Sequence, residues 1–439
     1  MSINYLRQPC ARAHAIGICL LIGSPALGAT ETVLYRFPSG GNPYAGLVID
    51  AAGSLYGTTF LGGRTLPGNL SSGGFVFRLD PPITGRSDWS LTVLHSFAGG
   101  FDGQNPLSGL TSDGAGGFFG ATRDGGRSDN GVVFEIDPPT SGHSVWSKVD
   151  LYRFAGGDSR DASLPDGAVT LDATGSLYGT TTSGGAHGYG TVFKLDPPQS
   201  VGNPWNETIL RGFGAGNDGE SPIDQILLDE MGNVYGVTIS GGGARRHGVA
   251  FKLTPPSSAG AAWSETILHR FTGVTDGNTP SGGMILDGTG TLYGTAQFGG
   301  GACGKPIYGC GVIYKLTPPA AGHTVWSETI LYRFKGGNDG ASPNGPLLAD
   351  ATGALYGTTS DGGGSGEGFG AVFKLTPPPA GHTVWTETIL YRFQGGEDGA
   401  NPTGSLVAGA SGNLYGTTAY GGGPENNGNG WGTIFKITP

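Results

Sequence analysis

The sequence predicts an all-β fold: a seven-bladed β-propeller with four antiparallel strands per blade, its ring closed by the N-terminal strand. Three observations predict it. One phrase recurs seven times in 439 residues, and the aromatic of its Leu-Tyr-Gly element falls at Tyr56, Phe119, Tyr178, Tyr235, Tyr293, Tyr356 and Tyr415, at intervals of 63, 59, 57, 58, 63 and 59. Each copy holds four short runs rich in Val, Ile, Leu, Tyr, Phe and Thr, bounded by Gly, Pro, Asp and Asn, as strands and their turns are. The phrase ETVLYRF at 31–37 matches the fourth run of each copy, whereas the chain ends on GTIFKITP at 432–439, which matches the third.

Taken in chain order, the first element is an export signal. Residues 1–14 carry Arg7, Arg12 and His14 and no acid, residues 15–22 are apolar, and SPALGA at 24–29 offers small residues at cleavage spacing. That is the order of a secretory signal peptide, assigned to residues 1–28. The eight-residue apolar run is too short to span a bilayer. No later apolar run reaches 18 residues, so the expected mature protein, 29–439, is exported and carries no membrane span.

The copy at 343–393 shows the blade elements most clearly. Its first run goes from Pro343 to Asp350, its second is GALYGTT from Gly353, its third GAVFKLTP from Gly370, and its fourth WTETILYRF from Trp385. The Asp-x-x-Gly between the first two fits a tight hairpin, with Asp bonding backbone amides and Gly taking positive φ. Pro-Pro after the third ends that strand, since proline donates nothing to a ladder. The strand-interior Gly of LYGTT is expected where another backbone comes close. The Trp opening each outer strand (Trp89, Trp146, Trp205, Trp263, Trp326, Trp385) reads as packing between blades, with an aromatic ligand cage as the sharper alternative. The Asp of the glycine loops (Asp102, Asp218, Asp276, Asp339, Asp398) reads as a turn residue, with a cation site in each blade as the alternative. An open solenoid would need capping repeats at both ends. Here the missing fourth strand of the last copy is supplied by the first strand of the chain.

Composition agrees with an ordered repeat. The 87 glycines and 29 prolines would suit a disordered chain, but 37% of residues are hydrophobic and 10% aromatic, with a net charge of −10. The acidic balance, without a basic run, argues against nucleic acid as a partner. Cys10 and Cys19 would leave with the signal, so Cys303 and Cys310 remain to form a disulfide, or half of a metal site. Closing their short loop contributes roughly 2.5 kcal/mol on a chain-entropy account.

No catalytic motif is recognisable, and no cofactor or metal site is expected. There is no Gly-x-Ser-x-Gly in a strand–turn–helix setting and no His-x-x-x-His pair. Candidates for function are instead departures from the repeat in loops that share one face: those from each outer strand to the next inner strand, and those after LYGTT. Asp166 and Asp224 stand at the start of inner strands. Arg123 and Asp124, His187, and Arg245, Arg246 and His247 occupy loops of consecutive copies, and Tyr420 and Trp431 a long loop of the last. Planar stacking with directed hydrogen bonds suits a glycan or small acidic ligand. Two carboxylates close together would also suit acid–base work on a polysaccharide.

The phrases LYGTT, VFKLTPP and ETILYRF joined by glycine loops resemble the GloVer tandem repeat of bacterial secreted choice-of-anchor proteins, over essentially all of 31–439. The resemblance implies an exported repeat protein and no established catalytic residues. Such proteins often carry a C-terminal surface anchor. Because Pro439 directly follows a strand, free secretion or periplasmic residence is expected instead. The reading is a non-enzymatic propeller that binds glycan or protein ligands through its loop face. A polysaccharide lyase or hydrolase on that face, and a structural envelope protein, are the alternatives.

Overall fold

The computed structural model describes residues 28–439, apart from stretches at 64–72, 141–144, 157–160, 201–202, 215–216, 259, 302, 304–308, 364–367 and 425–427. The expected signal therefore lies, save for Gly28, outside the described residues. Seven antiparallel sheets follow one another, each running from an inner strand through a second and a third to an outer one. Blades one to six end on outer strands Ser90–Ser96, Ser147–Arg153, Asn206–Gly212, Ser264–Arg270, Ser327–Arg333 and Thr386–Arg392. The outer strand of blade seven is Thr30–Arg36, antiparallel to Thr433–Thr438 with Thr30 opposite Thr438 and Arg36 opposite Thr433. The ring closes as expected. Among the described residues there is no α-helix, and no helix is long and apolar enough to cross a membrane.

The inner strands are less regular than the sequence suggests. In blades one, two, three and seven the ladder is reduced to two residues, such as Val48–Ile49. Every inner strand, long or short, begins at an irregular residue before its proline. Asn42, Asn105, Leu164, Ser221, Thr279, Ser342 and Asn401 all have φ between 53° and 59°, a left-handed conformation. A residue before proline is ordinarily extended. Each is held here by a bond to the preceding blade, as in Asn42 N–H to Trp431 O at 2.7 Å and Ser221 N–H to Tyr189 O at 2.8 Å. The turn that starts each inner strand is thus also a link between blades.

The third strands form the heart of each blade. Phe77, Phe134, Phe193, Phe251, Tyr314, Phe373 and Phe435 are all fully buried. Each lies directly opposite the glycine of the Leu-Tyr-Gly element, as Phe193 does opposite Gly179. A Cβ on Gly179 would sit 2.5 Å from Phe193 Cζ. The close neighbour of this glycine is therefore an aromatic ring, and not a second backbone as expected. Backbone-to-backbone approach occurs instead between neighbouring inner strands: a Cβ on Gly282 would meet the Gly345 carbonyl oxygen at 2.4 Å.

The tryptophans pack across blade seams. Trp146 lies 6.3 Å from Tyr56 of the preceding blade, and Trp89 lies 6.4 Å from Tyr415. The hairpin aspartates act as expected: Asp50 Oδ1 accepts from the amides of Ala52 and Ser54, both at 2.9 Å, while Gly53 takes φ 83°. The glycine-loop aspartates likewise hold turns, Asp339 accepting from Lys335 N–H at 2.7 Å and Asp398 from Gln394 N–H at 2.8 Å.

Candidate functional site

The loop face is built from two repeat positions on rigid strands. One is the residue after the inner-strand proline; the other follows the second strand. The first is Tyr44, Leu107, Asp166, Ile223, Ser281, Asn344 and Thr403 in blades one to seven. The second is Phe60, Arg123, Thr182, Ile239, Gln297, Ser360 and Ala419. Neither position repeats a residue, although the strands beside them scarcely vary. The scaffold thus leaves their identity open, as a site on a symmetric frame requires.

In blades two and three these positions meet. Arg123 Nε lies 3.2 Å from Asp166 Oδ1, and Thr182 Oγ1 donates to Asp166 Oδ2 at 3.0 Å. The Asp166 side chain is only 9% exposed. Both atoms are buried, and they meet as an ion pair and not as a hydrogen bond. Burial raises the Asp166 carboxyl above its ordinary range, while Arg123 and Thr182 oppose the rise. Burial also raises Asp124, with Arg123 opposing and Asp129 assisting.

Asp224 occupies a place held by glycine in four of the other six blades. Its φ of 64° is left-handed, as at Gly282 (95°) and Gly345 (81°). Its Oδ2 accepts from Gly282 N–H at 2.6 Å, bridging the inner strands of blades four and five. Some of its surface stays accessible, yet protein surrounds the carboxyl. That enclosure raises it to about 6, against the Gly282 hydrogen bond and with a further push from Asp166. Asp166 and Asp224 are therefore close enough to repel.

The other candidates are placed differently. His187 and Arg245 are exposed in their loops. Arg246, 56% exposed, pairs with Glu220. His247 lies against the next glycine loop, where a Cβ on Gly273 would meet its Nε2 at 2.4 Å. Tyr189 covers Gly214 in the same way, so this position packs one loop on the next. Trp431 holds the equivalent position and is 42% exposed. The Tyr420 hydroxyl lies 2.6 Å from that of Tyr44, and Tyr44 meets Phe60 edge-on at 5.7 Å. Tyr44 and Phe60 were not among the sequence candidates, although a seven-way comparison of the repeat positions would have singled them out. Cys303 and Cys310 are joined in a disulfide beside Gly336.

Among the described residues, one group of three side chains could hold a cation: Asp113, Glu135 and Asp137, with ligand atoms within 4.8 Å of one another. It lies on the opposite face, at the Asp-x-x-Gly hairpin of blade two. Glu135 stands where the other blades have Lys or Arg. Burial, and then repulsion within the group, raise Glu135 and Asp137.

Comparison with solved structures bears on the fold. A fungal alcohol oxidase in complex with copper is 14% identical with a TM-score of 0.52, over 94% of this chain and 77% of that one. A candidate oxidoreductase (glucose dehydrogenase) of Thermus thermophilus is 14% identical, TM-score 0.43, over 94% and 100%. A candidate 6-phosphogluconolactonase of Bacteroides uniformis is 12% identical, TM-score 0.48, over 84% and 88%. No curated protein sequence matches the chain. At 14% identity the likeness to the alcohol oxidase is one of architecture, and architecture does not set function. Sequence phrase, strand order and ring agree with a more specific finding: the Gloeobacter/Verrucomicrobia repeat matches residues 24–244, 151–328 and 227–439, and the chain belongs to that repeat family.

Proposed function

We propose that the protein is an exported binding propeller whose loop face takes a hydroxyl-rich ligand, a glycan chain, without transforming it. The observation that carries this reading is the Arg123–Asp166 ion pair at the mouth of blades two and three, with Nε 3.2 Å from Oδ1, the Asp166 side chain 9% exposed and the Arg123 side chain 39% exposed. A guanidinium fixed by a buried carboxylate and still partly open to solvent keeps N–H groups for a ligand. Sugar hydroxyls accept from such donors. The phenol pair of Tyr44 and Tyr420, set edge-to-face at 87° with Tyr420 40% exposed, offers an aromatic, partly polar corner on the same face. The disulfide and the absence of a membrane-spanning helix among the described residues are compatible with export.

One observation favours an enzymatic alternative. Asp224, held near 6 beside a second carboxyl, has the protonation range of a general acid. A glycan panel probed for both retention and product release separates the two readings. Binding predicts retention without products, weakened at least tenfold in Asp166→Asn and Arg123→Ala with unfolding midpoints kept. New reducing ends or unsaturated uronic products that vanish in Asp224→Ala would establish the enzyme instead. Neither retention nor products on any glycan would remove both.

A further inference from the structure

The seams between blades carry a chemistry that the loop face does not use. On the outer strand of blade three, Glu207 points back at blade two. There it meets the Tyr152 hydroxyl at 3.2 Å, and that same hydroxyl lies 3.4 and 3.5 Å from the two oxygens of Asp161. Asp161 also accepts from the Ala155 and Ala162 amides, whereas the hydroxyl is the donor to Glu207, on which no cation among the described residues acts. The arrangement recurs. Glu265 faces Asp218, Glu328 faces Asp276, Glu387 faces Asp339 and Glu31 faces Asp398, each across a seam. In all five, glutamate Oε1 is buried without a hydrogen-bond partner among the described residues. A carboxylate oxygen so placed lacks the donors that stabilise charge; a protonated carboxyl needs fewer.

The surrounding charges differ from seam to seam. Arg211 reaches both Glu265, at 2.8 Å, and Asp218, at 2.6 Å, and Arg270 stands nearby. His269 and Arg333 act on Glu328, Arg392 and Lys335 on Glu387, and Arg36 on Glu31. Burial outweighs these cations at every seam. It lifts Glu31, Glu265 and Glu387 to about 7 and Glu207, assisted by Asp161, to about 9. The remaining two seams are built otherwise. Lys148 takes the glutamate's place opposite Asp102 and His95, with Nζ 3.0 Å from Asp102 Oδ1, and Leu91 takes it opposite Tyr35.

We propose that the five glutamates are proton-held latches: each seam is tightest while its glutamic acid keeps a proton beside the facing aspartate, and it loosens as that proton is lost. The propeller is then a ring stiffened by acid surroundings and relaxed by alkaline ones. The sign follows from linkage. A carboxyl raised on folding makes the native chain bind more protons than the unfolded one, so stability falls as pH rises from the ordinary glutamate range through the raised values. Asp224 titrates in the lower part of that window, so the span above pH 6.5 isolates the seams.

Thermal unfolding of the full mature chain between pH 6.5 and 8.5 tests this. The midpoint should fall by about 5 °C or more across that span, by less in Glu207→Gln, and hardly at all when all five glutamates are changed to Gln. A flat or rising wild-type midpoint, or an undiminished fall in the five-fold variant, would overturn the proposal. Should the five-fold variant not fold, potentiometric titration of the wild type decides. The native chain must hold more protons than the urea-unfolded chain between pH 5 and 7, and equal or lower uptake would refute the latch.

Discussion

Replacing Asp224 by Asn isolates one carboxyl whose charge works against the fold. Enclosure moves it from 3.8 to about 6, roughly two pH units. At 1.36 kcal/mol per unit, ionising it in the folded state costs about 3 kcal/mol in full enclosure. Part of its surface remains open to water, and solvent screening brings the expected figure to about 1–3 kcal/mol. The carboxyl is raised, so stability is lost as pH climbs from about 4 to about 6, and the whole penalty is present at pH 7.5. Asparagine keeps an acceptor for Gly282 N–H and tolerates a φ of 64°. Asp224→Asn should therefore gain about 1–3 kcal/mol at pH 7.5 and change little at pH 4, where both folded and unfolded Asp224 are protonated. Guanidinium unfolding at the two pH values, followed by tryptophan fluorescence, reads this directly. A loss of stability at pH 7.5, or the same change at both values, would refute the reasoning, because it would mean that the ionised carboxyl has a stabilising partner.

Gly179→Ala should cost about 1–3 kcal/mol by overpacking, since its Cβ would stand 2.5 Å from the buried Phe193 ring; urea denaturation of the double variant with Phe193→Leu should show strong coupling, and additive costs would show that the ring is not the obstacle. Removing residues 1–36 deletes the strand paired with Thr433–Thr438 and should lower the unfolding midpoint sharply; an unchanged midpoint would mean that closure contributes nothing. Lys148, only 6% exposed and paired with Asp102 and Asp150, should cost about 1–3 kcal/mol when changed to Met at pH 7, because two half-buried carboxylates lose a shared cation and keep only His95 at Asp102 and Arg153 at Asp150. Burial pushes Asp102 up, but the His95 hydrogen bond, the Ala98 amide and Lys148 together hold it well below the usual carboxylate range. That stabilisation is present above about pH 4 and fades in stronger acid, so the Lys148→Met deficit should shrink at pH 2–3 in the same denaturation assay.

What was legible in the sequence follows from what repetition encodes. The ring, its closing strand, the hairpin aspartates and the seam tryptophans each recur, and a feature repeated at a fixed interval can be read without knowing its contacts. The strand-interior glycine was misread for a related reason. Its neighbour Phe193 is fourteen residues away in sequence, and only the register that sets Gly179 opposite Phe193 shows that a ring fills the missing side chain. At the loop face, charge stands out against a glycine-rich background and marks Arg123, Asp166 and Asp224 as candidates. Tyr44 and Phe60 are not marked in that way, because aromatics are common throughout the repeat and only their exact position distinguishes them.

The seam glutamates show the limit of separating scaffold from function by repetition alone. Glu207, Glu265, Glu328 and Glu387 recur in the ETIL phrase and Glu31 in its ETVL variant, and so pass as part of the frame. Yet a strand exposed on its outer side needs no glutamate there. Leu91 and Lys148 occupy the same place without altering the strand. What recurs is therefore a choice of chemistry and not a requirement of the backbone. On the latch proposal an acid opposite an acid works against stability at neutral pH, whereas Lys148 in blade two places a cation there. A repeated residue that the backbone does not demand carries information about conditions, just as an unrepeated one carries information about a ligand.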